Sequence, residues 1–404
     1  MCPLRVWRPP RRRWRKNKMK KTFHLISLLL LASCASSNDI FPSLPTSLNS
    51  DDIALPNPIA IIADDANGQI ILVNSEVDFL YEEGDIVTIS VDATDPLAPV
   101  LTATSLITTP RYAGSAAFDG TSLYVPFRTK DQIIKYTVGA GSITETAEAS
   151  VGKDPFGVTI DGAGNILVAS NNELNILDSD LTSVADVDLR AATQDDIPSA
   201  SGKRVENVAV DTVNNRAYIS NRRGKILIVD LTSNELTHVI GNPNEIDNHT
   251  PDTFQNTRGI LTNPADNFIY ATEGNPPALV VLDPSLLPAP TAEAPDEIDD
   301  AVLLQAQVDV ELNPNGIAID AVNNRAFVTN TSDKSVSVID LTLFKEIQRI
   351  SLKNADTGFE TGVDPFAVDV GIFGGASFVF VANFKSNNVT VIHAATLQVV
   401  ASFP

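Results

Sequence analysis

The chain has 404 residues, 43% of them hydrophobic, with 29 Lys and Arg against 50 Asp and Glu and a formal net charge of −21. That balance argues against a nucleic-acid partner, whose phosphates need a positive surface. With only Cys2 and Cys34 as thiols there is no disulfide framework, and long amphipathic helical patterns are absent.

The first eighteen residues, MCPLRVWRPPRRRWRKNK, are basic and contain proline. They read as an over-extended start ahead of Met19, or else as a basic N-terminal arm. From Met19 the chain continues KKTFHLISLLLLASC. A charged segment, an apolar segment and then small residues are the layout of a secretory signal over residues 19–33, its apolar run shorter than a spanning helix needs. Leu31-Ala32-Ser33-Cys34 resembles the bacterial lipobox, in which cleavage precedes a cysteine that then carries lipid. That resemblance implies a membrane anchor at Cys34, and Ala35 in place of Asp at the next position favours the outer membrane of the cell envelope. Ten of the 29 basic residues precede Cys34, so a chain cleaved there carries 19 basic against 50 acidic residues, a net of −31. Residues 34–57, rich in Ser, Pro and Asn, read as a flexible tether; the alternative is that Ile53–Leu55 packs against the first or last blade.

Residues 58–404 read as one all-β domain. Asn313–Leu352 shows four short strands, Gly316–Asp320, Arg325–Asn330, Ser335–Asp340 and Glu346–Leu352, separated by turn residues as in an antiparallel meander. Asn323-Asn324 makes a tight turn because Asn tolerates positive φ, and Asp340 of Asp-Leu-Thr accepts backbone N–H groups ahead of it. Arg204–Ile240 repeats both features, with Val213–Arg216 and Asp230–Thr232. Asp154–Arg190 uses Asp161-Gly162-Ala163-Gly164-Asn165 for the same hairpin. Asp364 to the C-terminus replaces the turn aspartate by His393. With Pro58–Ser105, Tyr112–Val151 and Thr257–Glu311, this gives about seven four-stranded antiparallel units at a period of roughly 40–50 residues, the signature of a β-propeller. The last blade supplies all its strands from the C-terminus, and a closed ring reads as a monomer. A Pro-rich acidic insertion, Pro284–Asp300, interrupts the fifth unit.

Ala326-Phe327-Val328-Thr329-Asn330, Ala217-Tyr218-Ile219-Ser220-Asn221 and Val379-Phe380-Val381-Ala382-Asn383 resemble the Tyr-Val-Thr-Asn repeat. Pro314–Asp320 and Pro365–Asp369 match the strand that precedes it. The resemblance is to the YVTN-type β-propellers of bacterial secreted and archaeal surface-layer proteins. It implies a fold and says little about function.

In such a ring the innermost strands line a channel. The long connections Ala191–Lys203, Gly241–Asn256, Pro284–Asp300 and Lys353–Val363 are read as lying on one rim, where binding residues concentrate. Just ahead of the innermost strands stand Arg111, Lys153, Asp154, Arg204, Glu206, Asn207, Arg258, Asn313, Asn315 and Asp364. These are expected to converge as a ring of mixed charge at the channel mouth, either as a polar pocket for a small anion or peptide or as charges that only pair with one another. No catalytic constellation is found. His238 on an outer strand reads as a solvated surface residue, and His249 and His393 share no metal-ligand spacing with it. There is neither a Gly-x-Ser-x-Gly elbow nor a Cys-x-x-Cys-His haem motif. No cofactor is required, though Asp247 and Asp252, or the run Pro295–Asp300, are acidic enough to attract Ca²⁺ or another divalent cation.

The leading expectation is a lipid-anchored, non-enzymatic binding module for an envelope protein or small molecule. One alternative, by resemblance to lactone-hydrolysing seven-bladed propellers, is a hydrolase with a divalent metal on Glu206, Asn207, Asn315 and Asp364. The other is a structural envelope protein.

Overall fold

A computed structural model describes residues 42–45, 48–49, 53–78, 80–190, 205–222, 224–241, 256–291, 295–352 and 362–404. The segments 1–33 and Cys34 lie outside them, as do Arg204, His249, Asp247 and Asp252.

Seven antiparallel sheets follow one another along the chain. Blade 1 spans 58–109, blade 2 117–150, blade 3 157–188, blade 4 205–240, blade 5 260–309, blade 6 314–351 and blade 7 365–403. In each, the four strands pair in chain order from the innermost outward. The sixth sheet is Pro314–Asp320, Arg325–Asn330, Ser335–Asp340 and Lys345–Ser351. The seventh takes every strand from the C-terminal segment, so no strand is exchanged at closure.

The second strand of each blade shows why the ring must close. Ile70, Ile71, Leu72 and Val73 are all fully buried. Successive side chains of a strand point to opposite faces, so such a run needs an apolar partner on both sides. Ile71 and Val73 pack with Leu123 and Phe127 of blade 2, whereas Ile70 and Leu72 pack with Phe378, Phe380 and Val391 of blade 7. The same division recurs at Tyr218, which faces blade 5, and Ile219, which faces blade 3. Seven apolar clusters fill the seven junctions. Ile53 and Leu55 join the junction between blades 1 and 7, so the end of the presumed tether is docked on the ring.

Polar side chains set the turns. Asn215 and Asn324 have φ of 52° and 51°, the left-handed conformation that the Asn-Asn pairs imply. Asp320 Oδ1 accepts from the N–H groups of Val322 and Asn323 at 3.0 and 3.3 Å, and Asp340 Oδ1 from Thr342 and Leu343 at 2.8 and 2.9 Å. In blade 7, His393 does that work: its Nδ1 accepts from the Thr396 N–H at 3.3 Å.

The Thr of the repeated Val-Thr-Asn stretch ties blades together. Thr329 Oγ1 accepts from the Gly316 N–H of its own innermost strand at 2.8 Å and donates to the Phe366 carbonyl of blade 7 at 2.9 Å. Thr272 does the same with Gly259 and Asn315 O, and Ser220 with Asn207 and Arg258 O. In blade 2 Pro126 occupies that position, and Ser115 of the innermost segment supplies the bridge to Phe156 O at 3.1 Å. Glycine at 316 permits this approach, since a Cβ there would lie 2.7 Å from Phe366 O.

Two expectations are corrected. Pro284–Asp300 connects the third and fourth strands of blade 5, so it leaves from the opposite face to the connections between blades. Part of it, Asp296–Ile298, pairs in parallel with the outer strand of blade 4 as a fifth strand. His238, expected in solvent, is consequently 1% exposed. The strand laid over it removes it from water, and that burial lowers its pKa against the opposing pull of Asp296.

Thr329→Val keeps the shape but leaves a buried N–H and a buried carbonyl without their bridge. It should lower stability by about 2–4 kcal/mol in urea unfolding, against under about 0.5 kcal/mol for the exposed Thr342→Val.

Candidate functional site

Each innermost strand begins on the face where blade-to-blade connections emerge. The residue just ahead of it takes up a left-handed conformation in most blades: Asn57, Tyr112, Asp154, Asn256, Asn313 and Asp364 have φ between 53° and 71°. Its carbonyl then receives an N–H from beyond the second strand, as when Asn313 O accepts from Thr331 at 3.0 Å and Asp364 O from Phe384 at 3.0 Å. Three of the predicted site residues, Asp154, Asn313 and Asp364, therefore shape the backbone of this face. Asn and Asp are the non-glycine residues that tolerate the conformation best.

The charges at this face are largely paired. Asp154 accepts from Arg128 at 2.8 Å, Asp364 lies 3.7 Å from the Lys385 ammonium, and buried Glu206 is held by Arg222. Lys153 is exposed, with its carbonyl taken by the Asn171 N–H. Asn313 Nδ2 donates to Ser332 Oγ at 2.9 Å. Arg258 hydrogen-bonds to the Asn256 amide at 3.3 Å, and burial lowers its pKa.

Of the predicted residues that are described, only Asn207 and Asn315 line the central cavity, whose wall is drawn from all seven blades. It holds about 210 Å³; residues such as Ile59, Ile61, Phe156, Ile260 and Phe366 wall it, together with the polar groups of Ser115, Asn207 and Asn315. Asn207 Nδ2 donates to Arg258 O at 3.2 Å. The Asn315 Nδ2, buried, has no partner among the described residues. Drug-sized ligands occupy about 300–1,000 Å³. The cavity suits a few waters or one small group with an acceptor for Asn315.

Arg111 falls elsewhere. It lines a second cavity of about 550 Å³ between blades 1 and 2, with Glu82, Glu83, Thr108, Tyr112 and Lys130. Both signs of charge and an aromatic ring meet there, in the larger space. The sequence offered no signal for Glu82 and Glu83, which sit in a connection longer than the repeat's, nor for Lys130, which sits in a connection of ordinary length whose side chains the repeat does not specify.

Among the described residues no three His, Cys, Asp or Glu side chains come together to hold a metal. The acidic run of blade 5 is used locally: Asp299 caps the short helix Asp300–Leu303 through the Ala301 N–H, and Asp296 accepts from the Thr291 hydroxyl and N–H. No described helix is long and apolar enough to cross a membrane.

No protein-family model matches the sequence, and no curated protein is significantly similar to it. Among solved structures, Kuenenia stuttgartiensis hydrazine synthase superposes with a TM-score of 0.60 at 16% identity, over 85% of this chain and 97% of the other. The Cps50 (Swd1) β-propeller domain of Myceliophteria thermophila gives 0.57 at 8% identity, over 83% of this chain and 96% of the other. At such identities the likeness carries the fold alone. With the seven junctions above, it makes this chain a seven-bladed β-propeller.

Glu273 stands on the same face, where the repeat has Asn. Thr257 Oγ1 donates to its Oε1 at 2.5 Å. Burial pushes its carboxyl up to about 8, against that hydrogen bond and with the help of Asp300. A raised carboxyl pKa means the neutral form is the stabilising one, so its contribution is complete below the ordinary value and lost as pH rises toward 8. Glu273→Gln should therefore gain thermal stability relative to the parent between pH 5 and 9; a difference independent of pH would contradict this.

Proposed function

We propose that this chain is a lipid-anchored β-propeller of the YVTN type, exposed at the cell surface or in the periplasm, that binds an envelope protein or small molecule without chemistry of its own. The observation that carries the reading is the groove of about 550 Å³ between blades 1 and 2, where Glu82, Glu83, Arg111, Lys130 and Tyr112 meet on a rigid ring. Rigid frameworks that present polar and aromatic side chains on connecting segments suit recognition. A channel of only about 210 Å³ gives recognition at the rim more support than a deep pocket. The hydrolase alternative has less: Glu206 and Asp364 each face a cation, and of its four ligands only Asn207 and Asn315 line the channel. The Leu31-Ala32-Ser33-Cys34 stretch supports the anchor, with outer-membrane export following from Ala35.

Arg111→Glu with Lys130→Glu should reduce crosslinked partners captured from envelope extracts at least tenfold while leaving the melting temperature unchanged; undiminished capture would count against the groove. Cys34→Ser should abolish incorporation of labelled palmitate and release the protein from membranes. An unmodified Cys34 in the native protein, seen by mass spectrometry, would remove the anchor.

A further inference from the structure

Blade 1 departs from the repeat between its second strand, Gln69–Asn74, and its third, Gly84–Asp92. Nine residues join them, where four suffice in blades 2, 6 and 7. The departure brings three polar side chains into one buried place. Asn74 occupies the position of the repeat Asn. Its counterparts hand their amide N–H groups to hydroxyls: Asn330 to Ser335 and Ser337, at 3.0 and 2.9 Å, and Asn383 to Thr390 at 2.9 Å. In blade 1 the residue in register with Asn74 is instead Asp85, whose Oδ1 accepts from the Asn74 amide. Glu76, two residues on, has a φ of 46°, a conformation an ordinary L residue rarely holds without outside support. Its Oε1 accepts from the Leu80 N–H at 2.6 Å, folding the connection around the carboxylate.

Asn74, Glu76 and Asp85 are all 0% exposed. One oxygen of each, Asn74 Oδ1, Glu76 Oε2 and Asp85 Oδ2, is buried without a hydrogen-bond partner among the described residues. No Lys, Arg or His among the described residues forms an ion pair with either carboxylate. Two buried carboxylates without a counter-charge are strongly unfavourable. What the place lacks is positive charge.

We propose that Asn74, Glu76 and Asp85 bind one hard divalent cation, Ca²⁺, through these three oxygens. Oxygen-only donors with two carboxylates fit Ca²⁺ and not zinc, which takes nitrogen and sulfur. Ca²⁺ takes about 6–8 oxygens in flexible geometry, so backbone carbonyls of the connection or water would complete the shell, whereas Mg²⁺ demands a near-ideal octahedron that this irregular connection suits less well. The inference is independent of the binding role proposed above. Its structural effect is to fix the 75–83 connection, whose Glu82 and Glu83 wall the groove.

The test uses the full chain, stripped with EDTA and studied at pH 8 with Ca²⁺ alone. Calorimetric titration should give one Ca²⁺ per chain, and saturation should raise the melting temperature by about 3 °C or more. Asp85→Asn and Glu76→Gln should each weaken binding at least 100-fold, and metal-free Asp85→Asn should melt above the metal-free parent because a buried charge is gone. A stripped parent indifferent to Ca²⁺ overturns the proposal, and so does an undiminished response in both variants, which would put the ion elsewhere.

Discussion

A strand that is apolar on both faces has to be covered twice, and everything else in this ring follows from that requirement. Ile70 and Leu72 look one way and Ile71 and Val73 the other. No blade can bury its second strand alone, and an open row of blades would leave one face bare at each end. Burying a large aliphatic or aromatic side chain contributes about 1.5–3 kcal/mol, so baring the blade 1 and blade 7 faces would expose Phe378, Phe380, Ile70 and Leu72 at a cost of several kcal/mol. Closure removes that cost without any strand exchange. It also turns the outer strands, the remaining edges, outward. They read as alternating and polar, as in Lys345–Ser351, a pattern that discourages pairing with other chains. Blade 4 has its edge covered by Asp296–Ile298.

Hydrogen bonds then fix what apolar packing leaves loose. The hydroxyls of Ser220, Thr272 and Thr329 pin one innermost strand to the next at the level of the channel. They account for a small hydroxylated residue in strands otherwise built of Val, Ile, Phe and Tyr. The close approach they enforce, with glycine where a Cβ would strike the neighbouring carbonyl, also explains a channel of about 210 Å³.

Local chemistry was the most legible part of the sequence. Asn-Asn turns, the Asp of Asp-Leu-Thr and the count of blades all came from patterns whose cause lies within a few residues. The docking of Ile53 and Leu55 was foreseen only as an alternative, because two apolar residues in a polar stretch do not reveal what they meet. The face of the ring was harder. By position Asp154, Asn313 and Asp364 suggest the lining of a mouth, yet the same residue types are those that accept a left-handed backbone. In this chain their conformation and their pairing serve the turn. His238 and the 284–300 insertion were misplaced for one shared reason: that segment folds back on the preceding blade, a long-range contact that periodicity does not register. The blade 1 cluster was invisible because its members are two carboxylates and an amide with no motif spacing. It emerges only where a blade breaks the pattern of its siblings.

Hydrogen–deuterium exchange of the intact chain tests the closed ring most directly. The second strands Gln69–Asn74, Arg325–Asn330 and Ala376–Asn383 belong to the first, sixth and last blades. If closure between the ends is what completes each blade, all three should exchange at one common slow rate set by opening of the whole ring. Blades 1 and 7 exchanging orders of magnitude faster than blade 6 would show an open array fraying from its ends, and would contradict the account.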